Sequence, residues 1–174
     1  DMPLQHIDNS ILDSMNRLIT KEQITSLIER LRAKVPQLCL RTTLIVGYPN
    51  ETEEQFAALE DFVAQTKFDR MGAFTYSPEE GTAAFKLEDN IPEEEKSERL
   101  NRLVDIQQAI SLSLNQAKVG KVFKVLIDRL EGDFWVGRTE FDSPEVDNEV
   151  LIPANQEVQV GCFVNAKITA AEDF

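Results

Sequence analysis

The chain has 174 residues, 42% of them hydrophobic and 28% charged, with a formal net charge of -13. That length supports one large domain or two small ones with a buried core, and the acidic balance argues against a general grip on nucleic acid backbones, which relies on Lys and Arg displacing counterions. No apolar run approaches the ~20 residues that a bilayer-spanning helix needs, so no membrane partner is expected, and the opening Asp1, Met2, Pro3 reads as the middle of a longer chain without a signal peptide.

The short apolar stretch from Met2 reads as a strand that ends at Gln5 and His6. Ile7, Ile11, Met15 and Leu18 then recur at helical spacing. Thr20 with Gln23 forms a capping box, and Ile24, Leu27, Ile28, Leu31 and Val35 continue a second helix that Pro36 helps to end. The run LCLRTTLIVG is nearly continuous in apolar and β-branched residues, as expected of a parallel strand covered on both faces. Thr52 with Gln55 repeats the capping box ahead of a stripe of Phe56, Leu59 and Val63, and MGAFTYS supplies the next strand before the turn-rich PEEGT. Pro92 followed by three glutamates opens a long helix whose packed face includes Leu100, Leu103, Gln107 and Ile110.

From Lys121 the texture changes to short alternating strands, KVFKVLIDRLE, FWVGRTEF, EVLIP and EVQVGCFVNAKITAA, separated by turn signals. The expected organisation is an α/β domain over residues 1–120 and a small all-β, OB-like barrel over 121–174. Ligand sites in α/β folds lie at the carboxyl ends of the strands, here Gly47 to Asn50 and Ser77 to Thr82. Cys39 and Cys162 each sit inside an apolar run, which reads as small buried hydrophobes in a reducing compartment. With one histidine and no close cysteine pair, the chain is not expected to assemble a zinc or iron–sulfur ligand set by itself.

The ordered series DMPLQHIDNSILDSMNR, LRTTLIVGYPNETEEQF, FDRMGAFTYSPEEGTAA and VGRTEFDSPEVDNEVLI resembles the radical S-adenosylmethionine methylthiotransferases, across nearly the whole chain. The resemblance implies the carboxyl half of an open, TIM-like radical-SAM barrel followed by a TRAM domain. It implies a cytoplasmic enzyme that uses S-adenosylmethionine and two 4Fe-4S clusters. The three-cysteine motifs that bind those clusters in the family are absent here, so this stretch is expected to be inactive alone and contributes no catalytic or metal-ligating residue.

What the resemblance does place in the chain is the adenosine side of the cofactor site. Val46 and its backbone stand where the family contacts adenine, Arg41 is a candidate for the cofactor carboxylate, and Thr43, with Thr42, for the ribose. Gln5 and His6 form a ligand-facing polar pair, and Tyr76 flanks the cofactor. Each has a plainer alternative: a core strand for Val46, an internal ion pair or exposed position for Arg41, a backbone bond for Gln5, a helix cap for His6, and turn connectivity around Tyr76.

Residues 121–174 carry five basic and eleven acidic residues, a net of -6. That is a poor phosphate binder and a good docking face for a basic partner. The pattern favours the family branch that modifies an aspartate of a small-subunit ribosomal protein over the branch that modifies an adenosine of transfer RNA, and RNA is not the expected partner. A non-catalytic binding module is the remaining alternative. Three barrel strands without upstream neighbours leave an open sheet edge, and self-association through that edge is expected.

Overall fold

The computed structural model describes residues 1–172; Asp173, which entered the charge count above, and Phe174 lie outside the described residues. The chain divides into two compact units, residues 1–110 and 111–174.

In the first unit β1 (Met2–Gln5), β2 (Arg41–Val46) and β3 (Arg70–Thr75) form a parallel sheet in the order β1-β2-β3. The helices α1 (Asn9–Ser14), α2 (Lys21–Lys34) and α3 (Glu53–Thr66) lie between the strands in sequence, which gives the α/β alternation its crossovers. Both capping boxes form: the Thr20 and Thr52 hydroxyls accept from the amides of Gln23 and Gln55, whose side chains accept from the capping residues' own amides at 2.9 Å. These reciprocal bonds satisfy donors that the first helical turn would otherwise leave free.

The first helix is shorter than its periodicity predicts. Asp8 caps it, accepting from the amides of Ser10 at 2.9 Å and Ile11 at 3.2 Å. It ends at Ser14, and Asn16 then turns into the left-handed region at φ 57°. That turn breaks the helical phase and leaves Leu18 94% exposed, although it sits on the apolar stripe.

β2 also departs from expectation, because only one of its faces is fully covered. Thr42, Leu44 and Val46 are buried, whereas Arg41, Thr43 and Ile45 are half-buried. The buried face belongs to a core that includes Leu4, Ile24, Ile28, Phe56, Leu59 and Val63.

The long helix α4 (Glu93–Gln116) begins in the first unit and ends in the second. In the second unit β4 (Val122–Glu131), β5 (Phe134–Arg138), β6 (Val150–Pro153) and β7 (Phe163–Lys167) make an antiparallel sheet in the order β6-β5-β4-β7. Val125, Ile127 and Val136 are its buried hydrophobic residues, and a register irregularity falls between Ile127 and Arg129. Gly137 is required in β5, since a Cβ there would stand 2.5 Å from the Leu126 carbonyl oxygen of β4. The DSPEVD segment is a loop tied by its own acids: the Asp142 carboxylate accepts from the Thr139 hydroxyl, and that of Asp147 from the Ser143 amide at 2.6 Å. Trp135 is half-buried and donates to the Gln156 carbonyl at 3.2 Å, while Phe134 remains 42% exposed.

Candidate functional site

The carboxyl ends of the three parallel strands bring together His6, the turn from Gly47 to Glu51, and Tyr76. Gly47 adopts φ +70°, and a Cβ on it would lie 2.3 Å from Lys96 Cγ, so only glycine lets the lysine stem pass. Lys96 is itself fully buried. Its ammonium meets Asp89 and Glu93 at 2.7 Å each and donates to the Tyr76 carbonyl at 3.4 Å. Burial is the strongest influence on its charge and opposes it, but the bonds to Asp89 and Glu93 prevail and raise the Lys96 pKa above its ordinary value.

Tyr76 packs edge-on against Tyr48, ring centroids 5.2 Å apart, in a cluster with Ile11 against which Met15, Ile45 and Ala84 pack. The Tyr76 amide donates to the Val46 carbonyl at 2.8 Å and its hydroxyl to the Ala84 carbonyl at 3.1 Å. Burial raises the phenol pKa, helped by Tyr48 and Asp89 and opposed by Lys96.

Behind this rim lies a buried polar chain. Glu51 is 4% exposed, His6 0% and Arg99 3%. The Glu51 carboxylate accepts from the Tyr48 amide at 3.0 Å, stands 3.5 Å from Arg99 Nη1 and 3.9 Å from His6 Nε2. Arg99 also donates to the Glu51 carbonyl at 3.0 Å and to the Glu95 carboxylate. His6 accepts the Asp8 amide on Nδ1 at 3.0 Å, so it supports the entry to α1, close to the capping role that was its plainer reading. Asp8, against which burial acts most strongly, is nonetheless held below its ordinary carboxylate pKa by the Ser10 hydroxyl, the Ile11 and Ser10 amides and His6.

The sequence candidates are thus divided. Gln5, His6, Val46 and Tyr76 gather at the strand ends. Thr43 lies midway along β2, and Arg41 begins that strand, about 16 Å below its carboxyl end at ~3.3 Å per residue. Arg41 is engaged rather than free, and it lies in register beside Arg70. Val46 is fully buried, so its side chain belongs to the core. Neither the Gln5 amide nor the Thr43 hydroxyl has a hydrogen-bond partner among the described residues, and both side chains are only half-buried. Gln5 is held at φ 71°, an uncommon backbone region for a residue with a side chain.

Sequence reasoning missed Phe74, Glu51, Arg99 and Lys96. Phe74 is 61% exposed in β3, its ring 3.6 Å from where a Cβ on Gly72 would stand, with Thr43 Oγ1 4.0 Å from the same point. The open face of the sheet therefore offers an aromatic surface beside a free hydroxyl. The signal for Lys96 and Arg99 was present as two basic residues inside the acidic start of a helix, where Glu93 and Glu95 pair with them locally, but the partners that tie them to the rim, Tyr76 and Glu51, lie far away in sequence. Among the described residues no group of three or more His, Cys, Asp or Glu stands together as a metal site, and neither cysteine forms a disulfide. Contrary to the expectation of two buried thiols, Cys39 is only half-buried and Cys162 is exposed, because the apolar runs that hold them are covered on one side at most.

Residues 119–174 match a family model described as the TRAM domain. Along its whole length the chain is 55% identical to proteins named ribosomal protein uS12 methylthiotransferase RimO from Flavobacterium johnsoniae and Bacteroides thetaiotaomicron, and 52% identical to one from Chloroherpeton thalassium. It spans 40%, 40% and 41% of the length of these relatives. Among solved structures it is similar to coproporphyrinogen III oxidase (HemN) from Escherichia coli, described as a radical SAM enzyme, with a TM-score of 0.54 over 80% of this chain and 40% of that one. At 19% identity this likeness concerns the fold.

Proposed function

The chain is related along its whole length to part of the RimO methylthiotransferases, and from that premise we propose that it forms the adenosine side of the cofactor site, together with the TRAM domain, of an enzyme that methylthiolates an aspartate of a basic small-subunit ribosomal protein. The identity over the full chain is the observation that carries this reading. The sheet of the first unit is on this view one part of an open radical-SAM barrel, and the TRAM sheet closes as an OB-like barrel after a boundary near Gly120. The setting is the cytoplasm.

The residues present fit an adenosine group. Phe74 and Ile45 offer apolar surface for a flat base, and the unpartnered Gln5 amide and Thr43 hydroxyl offer bonds to the ribose or the ring. Val46 ends β2, the strand that carries Thr43 and Ile45, and Tyr76 closes the rim through its bond to the Val46 carbonyl. Arg41, at the opposite end of the strand, fits a structural place better than the cofactor carboxylate. The chain does not fit a 4Fe-4S cluster, because its two cysteines lie in different units and no group of three or more His, Cys, Asp or Glu stands together among the described residues. The reductive and sulfur-transfer chemistry is accordingly assigned to the rest of the relatives' length, and the chain alone is expected to be inactive.

Binding of S-adenosylhomocysteine to the full-length protein, measured by calorimetry, tests the site. Loss of one hydrogen bond in Gln5→Ala or Thr43→Ala should weaken binding roughly 2- to 12-fold, from about 0.5–1.5 kcal/mol per bond. Unchanged affinity in both variants would overturn the assignment. The acidic second unit favours a basic protein substrate over transfer RNA. Tight, salt-dependent binding of transfer RNA by the same protein would reverse that choice.

A further inference from the structure

We infer that Glu51, held by Arg99, is a positioning residue for the strand-end site: its carboxylate fixes the orientation of the His6 imidazole, whose tautomer the Asp8 amide selects, and so holds the left-handed Gln5 that precedes it. The inference rests on the cofactor reading for what is positioned, and on buried geometry for how. Because His6 Nδ1 accepts the Asp8 amide at 3.0 Å, the proton of the neutral ring is placed on Nε2. That nitrogen faces Glu51 Oε1 at 3.9 Å, and both atoms are buried without a hydrogen-bond partner among the described residues. A donor and a carboxylate oxygen so placed attract each other strongly in a poorly solvated interior, and a small rotation of the ring closes the gap.

The other carboxylate oxygen is occupied by the Tyr48 amide at 3.0 Å. Arg99 balances the buried charge from α4, with Nη1 3.5 Å from Oε1 and a 3.0 Å bond to the Glu51 carbonyl. Glu51 thus needs both oxygens as acceptors. Its pull on His6 is relayed to Gln5 through the adjoining backbone, where φ 71° must be held against the residue's ordinary preference. A buried ion pair that merely pinned α4 to the β2–α3 turn would be indifferent to the state of the ring.

The chain contains a single histidine, so its imidazole nitrogen signals are unambiguous in magnetic resonance. With the ring neutral, the expected spectrum of the chain has the proton on Nε2 and none on Nδ1, with slow exchange of that proton with solvent. Glu51→Gln keeps the volume but supplies one acceptor, which cannot serve both the Tyr48 amide and His6. The Nε2 signal should then shift and lose its protection, whereas Glu98→Gln at an exposed position should leave it in place. A wild-type ring protonated on Nδ1, or a His6 signal unmoved by Glu51→Gln in a folded chain, would overturn the inference. If Glu51→Gln does not fold, Glu51→Asp, which keeps both acceptors but draws them back from the ring, takes its place, and a His6 signal unmoved by that change would equally overturn the inference. Absence of S-adenosylhomocysteine binding to the full-length protein, with the histidine signature intact, would defeat the cofactor reading while upholding the control of His6 by Glu51.

Discussion

Lys96 shows how one side chain organises the rim. Its stem fills the space that Gly47 leaves open, and its ammonium joins the end of β3 to Asp89 and Glu93. Because Glu93 is 77% exposed and Asp89 27%, the pair contributes less than a wholly buried one. Lys96→Met should cost about 2 kcal/mol, below the ~3–5 kcal/mol for breaking a fully buried ion pair. Gly47→Ala meets both a clash and a left-handed backbone, and should be destabilising alone but markedly less so in a Lys96→Ala background. Urea unfolding of the four members of that cycle measures the coupling, and strict additivity would show that the stem and the glycine are independent.

The raised pKa values of Lys96 and Tyr76 have the same consequence for pH. A group whose folded pKa is raised contributes fully below its unfolded pKa, ~10 for both groups, and the contribution is lost as pH rises through the folded value. Stability should therefore fall above about pH 10, and Lys96→Met should flatten that fall; equal slopes in the two proteins would count against the pairing.

At the scale of elements, the caps were legible because they are relations between residues three apart. Thr20 with Gln23 and Thr52 with Gln55 form the two boxes expected of them. Thr52→Ala should cost about 1 kcal/mol, read as a shift of the urea midpoint with unchanged slope. The strands were legible too, as apolar and β-branched runs, including the four of the second unit. What periodicity misjudged was phase and coverage. Leu18 continues an apolar stripe, yet Asn16 turns the chain before the stripe is used. Likewise β2 is apolar enough for burial on both faces, but the half-buried side leaves Thr43 and, on β3, Phe74 accessible.

For the whole molecule, the sheet order β1-β2-β3 leaves the outer edges of β1 and β3 without a partner strand among the described residues. Unpaired edges with apolar groups nearby favour pairing with another chain. We expect the isolated chain to self-associate with rising concentration, and a strictly monomeric species by light scattering at high concentration would refute this. If the substrate is the basic protein proposed above, its binding through the acidic second unit should weaken with added salt, and affinity independent of salt would count against that docking face.

The sequence by itself determined the elements, the caps, the change of texture after the long helix and the resemblance that points to a cofactor site, since all of these reside in local spacing or in contiguous motifs. It could not place Arg41 at the far end of its strand from the rim, nor pair Arg99 with Glu51 across 48 residues or Lys96 with Tyr76 across 20. Those pairings were decided by tertiary structure, because a buried charge takes whichever partner the packing of distant elements brings within reach, and nothing in its neighbours along the chain records which one that is.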